Sequence, residues 1–104
     1  MPALLIARFA GDPGRLRAAY DRAHRRLMTQ PGPPTGELRH HCAIGDNALY
    51  LVGVWQSEAH INARFANPVF TQLLDSVGFP RPSDADVTIL RLHATEPPLP
   101  TDHH

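Results

Sequence analysis

Two strand-like stretches in the middle of the chain are separated by only three residues, and this spacing constrains the fold most. The stretches are ELRHHCAI (37–44) and ALYLVGVW (48–55), and the loop between them is GDN (45–47). Two such runs around a short loop of turn-forming residues are typical of a β-hairpin. We therefore expect an antiparallel strand pair at the centre of the domain.

A strand and a helix precede the hairpin. ALLIARF (3–9) is apolar nearly throughout and is typical of a buried strand. Asp12 can cap the helix that follows, and the prolines of TQPGPPTG (29–36) must end it. Between these limits, apolar side chains recur at helical spacing on one face. They are Leu16, Tyr20, Ala23 and Leu27.

A helix and a strand follow the hairpin. Ser57 can cap the helix, and Asn67-Pro68 is expected to kink or restart it. VTILRLHA (87–94) predicts the last strand. The apolar face of the helical segment consists of Ile61, Phe65, Val69, Phe70, Leu73, Leu74 and Val77.

The order strand, helix, strand, strand, helix, strand predicts an α+β fold of the ferredoxin-like βαββαβ type. In that fold, a four-stranded antiparallel sheet carries two helices on one face. The chain of 104 residues is long enough for one such domain, which we assign to residues 1–95. The Pro-rich tail, residues 96–104, has no periodicity and is expected to be disordered or draped on the surface. Its last two residues, His103 and His104, are interpreted as tail residues rather than ligands.

The strands are apolar on both faces, which predicts a partner. In the first strand, Leu4 and Ile6 point to one face. Leu5 and Ala7 point to the other face. Two helices can cover only one face, and the other would expose more apolar surface than monomers usually tolerate. Since most oligomers are symmetric pairs, the sequence predicts a homodimer formed through the sheet face.

The charge and cysteine content exclude several classes of partner. Ten basic and ten acidic residues cancel, so the positive field that attracts nucleic acid or anionic lipid is missing. No apolar run approaches the roughly 20 residues that span a bilayer, and no N-terminal signal is recognisable. Cys42 is the only cysteine, which excludes an internal disulfide or a Cys-rich zinc site. We expect a cytoplasmic protein that binds neither nucleic acid nor membrane.

Two adjacent histidines in the second strand are candidate catalytic groups. Strand alternation predicts that His40 shares a face with Leu38 and Cys42. It predicts that His41 lies on the opposite face, with Glu37, so the two histidines cannot hold one metal together. A partly buried neutral histidine can act as a general base at neutral pH. The alternative is that it is only a hydrogen-bonded packing residue.

Two arginines interrupt otherwise apolar strands. Arg8 and Arg91 are expected on adjacent strands, and each needs a carboxylate, a backbone acceptor or a ligand. A pair of arginines in a pocket would suit an anionic or phenolate-like ligand. The alternative is a salt bridge with Glu37, Asp84 or Asp86.

The segment VWQSEAHINARFANPVF (54–70) combines a strand-ending Trp, a Ser cap, an acidic-Ala helix start and a Pro-x-Phe turn. In these features the chain resembles the dimeric α+β-barrel superfamily, and most closely the branch similar to antibiotic biosynthesis monooxygenases. The resemblance extends over residues 3–94 in element order. It implies a pocket between the sheet and the helices, with Trp55 at its rim. The alternative is that Trp55 only packs in the core.

Two departures from the family pattern bear on function. Many members carry a histidine in the second helix, where this chain has Arg64 and Val69. Haem-degrading members share a first-strand Asn, which Ala7, Arg8 and Phe9 do not supply. A haem oxygenase is therefore disfavoured.

The resemblance implies a cofactor-independent monooxygenase that acts on an apolar aromatic or polyketide-type substrate. The candidate base is His40 or His41, and Arg64 is the candidate group that stabilises an anion. The residues predicted to line the pocket are Arg8, Trp55, Arg64 and Phe65.

Two other functions stay open. The first is a non-catalytic dimeric module that binds a small ligand or only packs against itself. The second, more distant, is a haem-binding protein with His60 as the ligand. The sequence contains no Gly-rich phosphate loop, no nucleophile elbow and no HExxH motif, so neither a cofactor nor a metal is predicted.

Overall fold

The structure, a computed structural model, describes residues 1–29 and 34–99. It confirms the α+β, ferredoxin-like order of elements. They are β1 (Ala3–Ala10), α1 (Pro13–Thr29), β2 (Glu37–Ile44), β3 (Ala48–Trp55), α2 (Glu58–Ala66), α3 (Pro68–Val77), a 3₁₀ turn (Pro82–Asp84) and β4 (Asp86–Arg91). The four strands form one sheet in the order β2-β3-β1-β4, and every neighbouring pair is antiparallel.

Helix α1 forms as its sequence pattern predicts. The Asp12 carboxylate accepts the backbone N–H of Arg15 at 2.8 Å and so caps the first turn. Leu16, Ala19 and Ala23 are buried on one face of the helix. The spacing of three and four residues between them is that of a helix lying on a core.

The second helical segment consists of two helices, α2 and α3. Ser57 caps α2 with a hydroxyl that accepts a backbone N–H of the first turn. Asn67 ends α2 and caps α3 by accepting the N–H of Val69 at 2.9 Å, and Pro68 fills the first position of α3. Gly78, with φ of 77°, ends α3 in the left-handed conformation that glycine adopts without strain. The Asn67-Pro68 pair therefore restarts the helix.

One face of the sheet, here called the helix face, is buried beneath the helices. In β1 it carries Ala3, Leu5, Ala7 and Phe9, all of which are buried. These side chains form one apolar cluster with residues from α1, α2 and α3. The helical contribution includes Leu16, Ile61, Leu74 and Val77. The core of the domain therefore lies between the helix face and the helices.

The opposite face, here called the open face, has no helix on it. Its β1 residues are Leu4, Ile6 and Arg8, which are each only half-buried. Leu90 of β4 pairs with Leu4 and is 49% exposed. The apolar character predicted for both faces is therefore present. Val54 of β3, which pairs with Leu4, is buried, so the open face is partly covered in the single chain.

Strand β2 contains a bulge that the sequence pattern did not predict. Glu37 pairs with Trp55 and Arg39 pairs with Val54, so the register shifts by one residue around Leu38. Beyond the bulge, Arg39 lies on the open face. Before it, Glu37 lies on the helix face. The prediction that alternation separates Glu37 from His40 is therefore wrong, because alternation is interrupted between them.

The C-terminal segment crosses from β4 towards β2. Strand β4 ends at Arg91, three residues before the predicted end, and the N–H of Leu92 then bonds the carbonyl of Pro2 at 3.0 Å. The guanidinium of Arg39 donates to Thr95 Oγ1 at 2.9 Å and to the carbonyl of Pro97. Residues 95–98 therefore lie beside the Arg39 side chain, on the open-face side of β2. Residues 100–104, which include both tail histidines, lie outside the described part of the chain.

None of the helices in residues 1–29 and 34–99 is long and apolar enough to cross a membrane.

Candidate functional site

A cavity of about 240 Å³ lies between the helix face and the helices. Its floor includes small residues of the sheet, Ala7 of β1 and Gly53 of β3. Because Ala7 and Gly53 carry little or no side chain, space remains between the sheet and the helices above these positions. The walls are mostly apolar and include Leu27, Leu51, Phe65, Phe70, Leu74 and Phe79.

Gly53 leaves room at the polar end of the cavity. A Cβ placed on Gly53 would lie 3.1 Å from Trp55 Nε1 and 3.5 Å from a carboxylate oxygen of Glu37. The first distance is shorter than an ordinary van der Waals contact. Because Gly53 has no side chain, the indole N–H of Trp55 and the carboxylate of Glu37 border unfilled space at this end of the cavity.

A chain of three hydrogen-bonded side chains reaches the cavity from α1 and β2. His40 Nδ1 lies 3.0 Å from Glu37 Oε2, and His40 Nε2 lies 2.6 Å from the Tyr20 hydroxyl. The bulge at Leu38 makes the first contact, since it turns Glu37 to the face of His40. An ionised carboxylate can only accept, so Nδ1 carries the proton that it donates to Glu37. Nε2 of neutral His40 is then an acceptor, and Tyr20 donates to it.

Tyr20 is held in its neutral form. Burial raises the pKa of the Tyr20 hydroxyl to about 12, and the negative charges of Cys42, Glu37 and Asp21 act in the same direction. The phenol ring also stacks on the His40 ring, with the centroids 5.9 Å apart. Tyr20 therefore serves as a hydrogen-bond donor at rest.

Trp55 presents an unused donor to this region. The residue is only 2% exposed, and its indole N–H has no hydrogen-bond partner within the described residues. A buried donor without a partner costs about 1–3 kcal/mol. Trp55 lines the cavity, so a ligand oxygen could supply the missing acceptor.

Arg64 places a positive charge beside the same space. Its guanidinium lies 4.1 Å above the centre of the Phe70 ring, and both residues line the cavity. Burial lowers the pKa of Arg64, and the nearby charge of Glu37 opposes that shift. An anionic ligand in the cavity would therefore meet a partly desolvated cation.

Four of the residues predicted for the site line the cavity: His40, Trp55, Arg64 and Phe65. Two do not. Arg8 lies on the open face and forms an ion pair with Asp86 at 3.6 Å, which is the alternative that the sequence left open. His41 pairs with Val52 and is exposed on the open face.

The predicted arginine pair does not form. Arg91, at the end of β4, lies opposite Ala3, and Arg8 of β1 lies opposite Asp86 at the start of β4, so the two arginines are far apart along the strand pair and on opposite faces. Tyr20 and Glu37 complete the polar chain, and sequence reasoning missed both as site residues. Tyr20 looked like one more member of an apolar helix face, and Glu37 seemed to face away.

His60 is not placed to bind haem in the cavity. Its Nδ1 is hydrogen-bonded to the Ser57 hydroxyl at 2.7 Å. Its ring packs so closely on Gly36 that a Cβ there would lie 2.5 Å from it. His60 is not among the residues that line the cavity, and no group of three metal-ligating side chains occurs in the described ranges. The residues present therefore do not fit a haem held by His60.

The comparisons with known proteins agree with this architecture. In sequence, no protein-family model matches the chain, and none of the curated proteins does either. In structure, SnoaB, a cofactor-independent oxygenase from Streptomyces nogalater, matches with a TM-score of 0.62 at 18% identity, over 92% of this chain and 97% of that one.

Two further structures extend this result. Rv0793 from Mycobacterium tuberculosis matches with a TM-score of 0.63 at 19% identity, over 92% of this chain and 99% of that one. An antibiotic biosynthesis monooxygenase matches with a TM-score of 0.59 at 16% identity, over 88% of this chain and 98% of that one. The chain has the fold of the antibiotic biosynthesis monooxygenases. The resemblance seen in residues 54–70 is thereby confirmed at the level of the fold.

Proposed function

We propose that the protein is a cofactor-independent oxygenase for a small hydroxylated aromatic substrate, with His40 as the general base. The observation that carries this proposal is the apolar cavity reached by a histidine whose Nδ1 is fixed by a carboxylate. Such an arrangement leaves Nε2 free of a proton, as a base requires. The structural similarity to SnoaB, a cofactor-independent oxygenase, supports the same chemistry.

The volume of the cavity limits the substrate. About 150 Å³ of closed apolar space holds benzene, and drug-sized pockets begin near 300 Å³. A cavity of about 240 Å³ therefore suits one or two fused aromatic rings. We expect a naphthol-sized substrate rather than a larger polyketide.

The chemistry needs a proton acceptor and an anion-binding site. Removal of the hydroxyl proton gives a phenolate whose para carbon is electron-rich and can bond to O₂. The resulting hydroperoxide loses water to give a quinone, so one phenol and one O₂ yield one quinone and one H₂O. The indole N–H of Trp55 and the guanidinium of Arg64 would hold the phenolate oxygen during this step.

The open face supports a homodimer as the working form. On this face Ile6 pairs with Val52 across β1 and β3, and Leu4 pairs with Leu90 across β1 and β4, and all four side chains are at least partly exposed. A contiguous apolar sheet surface of this kind is expected to be covered, and a second copy offers a self-complementary cover. The cytoplasmic location stays a prediction.

The test uses 1-naphthol, air-saturated buffer and a metal chelator. Oxygen uptake at an electrode and quinone absorbance report turnover, and fluorescence of Trp55, the only tryptophan, reports binding in the cavity. His40→Gln is expected to lower turnover about 10²- to 10⁴-fold, which is the usual contribution of a general base. His41→Gln, on the open face, is the matched control and should leave turnover unchanged.

Two results would contradict the proposal. Binding of naphthols and smaller phenols without any oxygen uptake would favour the non-catalytic ligand-binding module. Equal losses in His40→Gln and His41→Gln would show that the position of His40 in the cavity has no special role.

A further inference from the structure

We propose that Tyr20 is a catalytic residue that receives the substrate's proton and passes its own to His40. This inference rests on the proposed function and extends it. Its basis is that the Tyr20 hydroxyl lies 2.6 Å from His40 Nε2 and occupies the one lone pair that neutral His40 offers. While Tyr20 is in place, a substrate hydroxyl can reach that lone pair only through the Tyr20 oxygen.

The proton balance of the relay is simple. The substrate O–H donates to the Tyr20 oxygen while the Tyr20 O–H donates to His40 Nε2. The substrate O–H bond breaks, a bond forms between Nε2 and hydrogen, and Tyr20 carries one proton before and after the step. The positive charge gained by His40 is balanced by Glu37 through Nδ1.

The neutral resting state of Tyr20 is consistent with a proton relay rather than with a tyrosinate that acts as the base. Since burial raises the pKa of Tyr20 to about 12, a tyrosinate would not accumulate near neutral pH. The two proton transfers must then occur together. Glu37 is a positioning residue, because it touches His40 and holds the tautomer in which Nε2 is free.

The relay also gives the substrate's proton a route from the cavity to solvent. The cavity is lined mostly by apolar side chains, so few of the groups around it can accept a proton released there. The side chain of His40 is 31% exposed. A proton that reaches His40 through Tyr20 can therefore leave to solvent, and the substrate can stay in the apolar part of the cavity.

Two variants separate the relay from direct proton abstraction by His40. Tyr20→Phe keeps the ring and removes the hydroxyl, so in a relay it should lower naphthol turnover about 10²-fold or more. If His40 instead acted directly, Tyr20→Phe would free Nε2 and keep or raise turnover, which would overturn the inference. In a relay, combining Tyr20→Phe with His40→Gln should cost little more than either change alone. Tyr50→Phe, on the open face opposite Arg8, is the matched control.

A readout that does not depend on turnover uses 4-nitrophenol, which is coloured only as its phenolate. Fluorescence of Trp55 measures its binding, and absorbance measures the ionised fraction of the bound probe. We expect a large ionised fraction in the wild type and a loss of about tenfold in Tyr20→Phe at unchanged occupancy. Binding without this loss would overturn the relay and leave the proposed function standing. Absence of any binding of 4-nitrophenol and 1-naphthol would overturn both.

Discussion

The two faces of the sheet are built from the same alternating strands but differ in how completely their side chains fill space. On the helix face, Ala7 and Gly53 lie beside large residues and leave a cavity with polar groups at one end. On the open face, Leu4 and Ile6 face Val54 and Val52 in regular pairs. Incomplete packing on one side provides room for a ligand, and regular packing on the other provides a surface for a second copy.

The largest expected effect comes from a charge on the open face. Ile6 lies between Val52 and Thr88 at the centre of that face. In a homodimer, Ile6→Lys would place two like charges against apolar partners, at a cost of several kcal/mol. We expect light scattering to report monomers for this variant and dimers for the wild type. Ala18→Lys, on the exposed side of α1, is the control. A wild-type protein that is monomeric at micromolar concentration would show that the open face does not bind a second copy.

A pair of leucines tests how much each face contributes to stability. Leu16 is fully buried above the helix face, so Leu16→Ala should lower the free energy of unfolding by about 2–5 kcal/mol. Leu90→Ala on the open face should cost about 1 kcal/mol in a dimer, and the cost should depend on protein concentration. Urea titrations at two concentrations measure both. A loss below about 0.5 kcal/mol for Leu90→Ala would indicate that nothing covers it.

Replacing the indole N–H donor of Trp55 is expected to affect ligand binding more than stability. Trp55→Phe removes an N–H that has no partner in residues 1–29 and 34–99, together with some packing, and these two changes oppose one another. We expect the free energy of unfolding to change by less than about 1.5 kcal/mol. The affinity for 4-nitrophenolate, measured by calorimetry, should fall about tenfold, since a hydrogen bond to an anion is lost. Phe65→Leu serves as a control, and an equal loss of affinity in both variants would mean that the indole N–H does not contact the ligand.

The smallest expected effect is a pH dependence at the polar end of the cavity. Tyr20 ionises at a pKa of about 12 in the folded chain and at about 10 when unfolded, so the unfolded chain binds fewer protons between these values. Stability due to the neutral Tyr20 is thus complete below pH 10 and is lost as the pH rises towards 12. All ten basic side chains are arginines, so no lysine titrates in this window.

The corresponding measurement is the thermal unfolding midpoint between pH 9 and pH 12. Tyr20→Phe should reduce the decline that the wild type shows in this window. Tyr50→Phe is the control on the open face, and Cys42→Ser accounts for the thiol, whose pKa is also raised by burial. Parallel declines in the wild type and in Tyr20→Phe would contradict the assigned environment of Tyr20.

Much of the fold was predictable because its signals are local. The hairpin strands 37–44 and 48–55 have the predicted bounds, since turn residues mark both ends of the loop. The caps at Asp12 and Ser57 are equally local. The end of β4 was predicted three residues too late, because an apolar run does not reveal where its pairing partner stops.

The candidate site was only partly predictable, because its key contact depends on an interruption of the pattern. Alternation placed His40 correctly on the face of Cys42, but it assigned Glu37 to the wrong face. One residue of bulge reverses that assignment, and a run such as ELRHH contains no signal for it. Tyr20 was counted as core because the apolar positions of a helix do not tell which of them borders a cavity.

The bulge at Leu38 has a further consequence for how this chain can be engineered or can diverge. Because β2 is an outer strand of the sheet, an irregular backbone there also hinders unwanted addition of strands from other molecules. Deletion of that single residue would straighten the edge and reverse the side on which Glu37 emerges. Loss of one codon could thus turn the Glu37 carboxylate away from His40 and leave a regular edge strand to which other molecules can add strands. Every side chain of the relay would remain in the sequence.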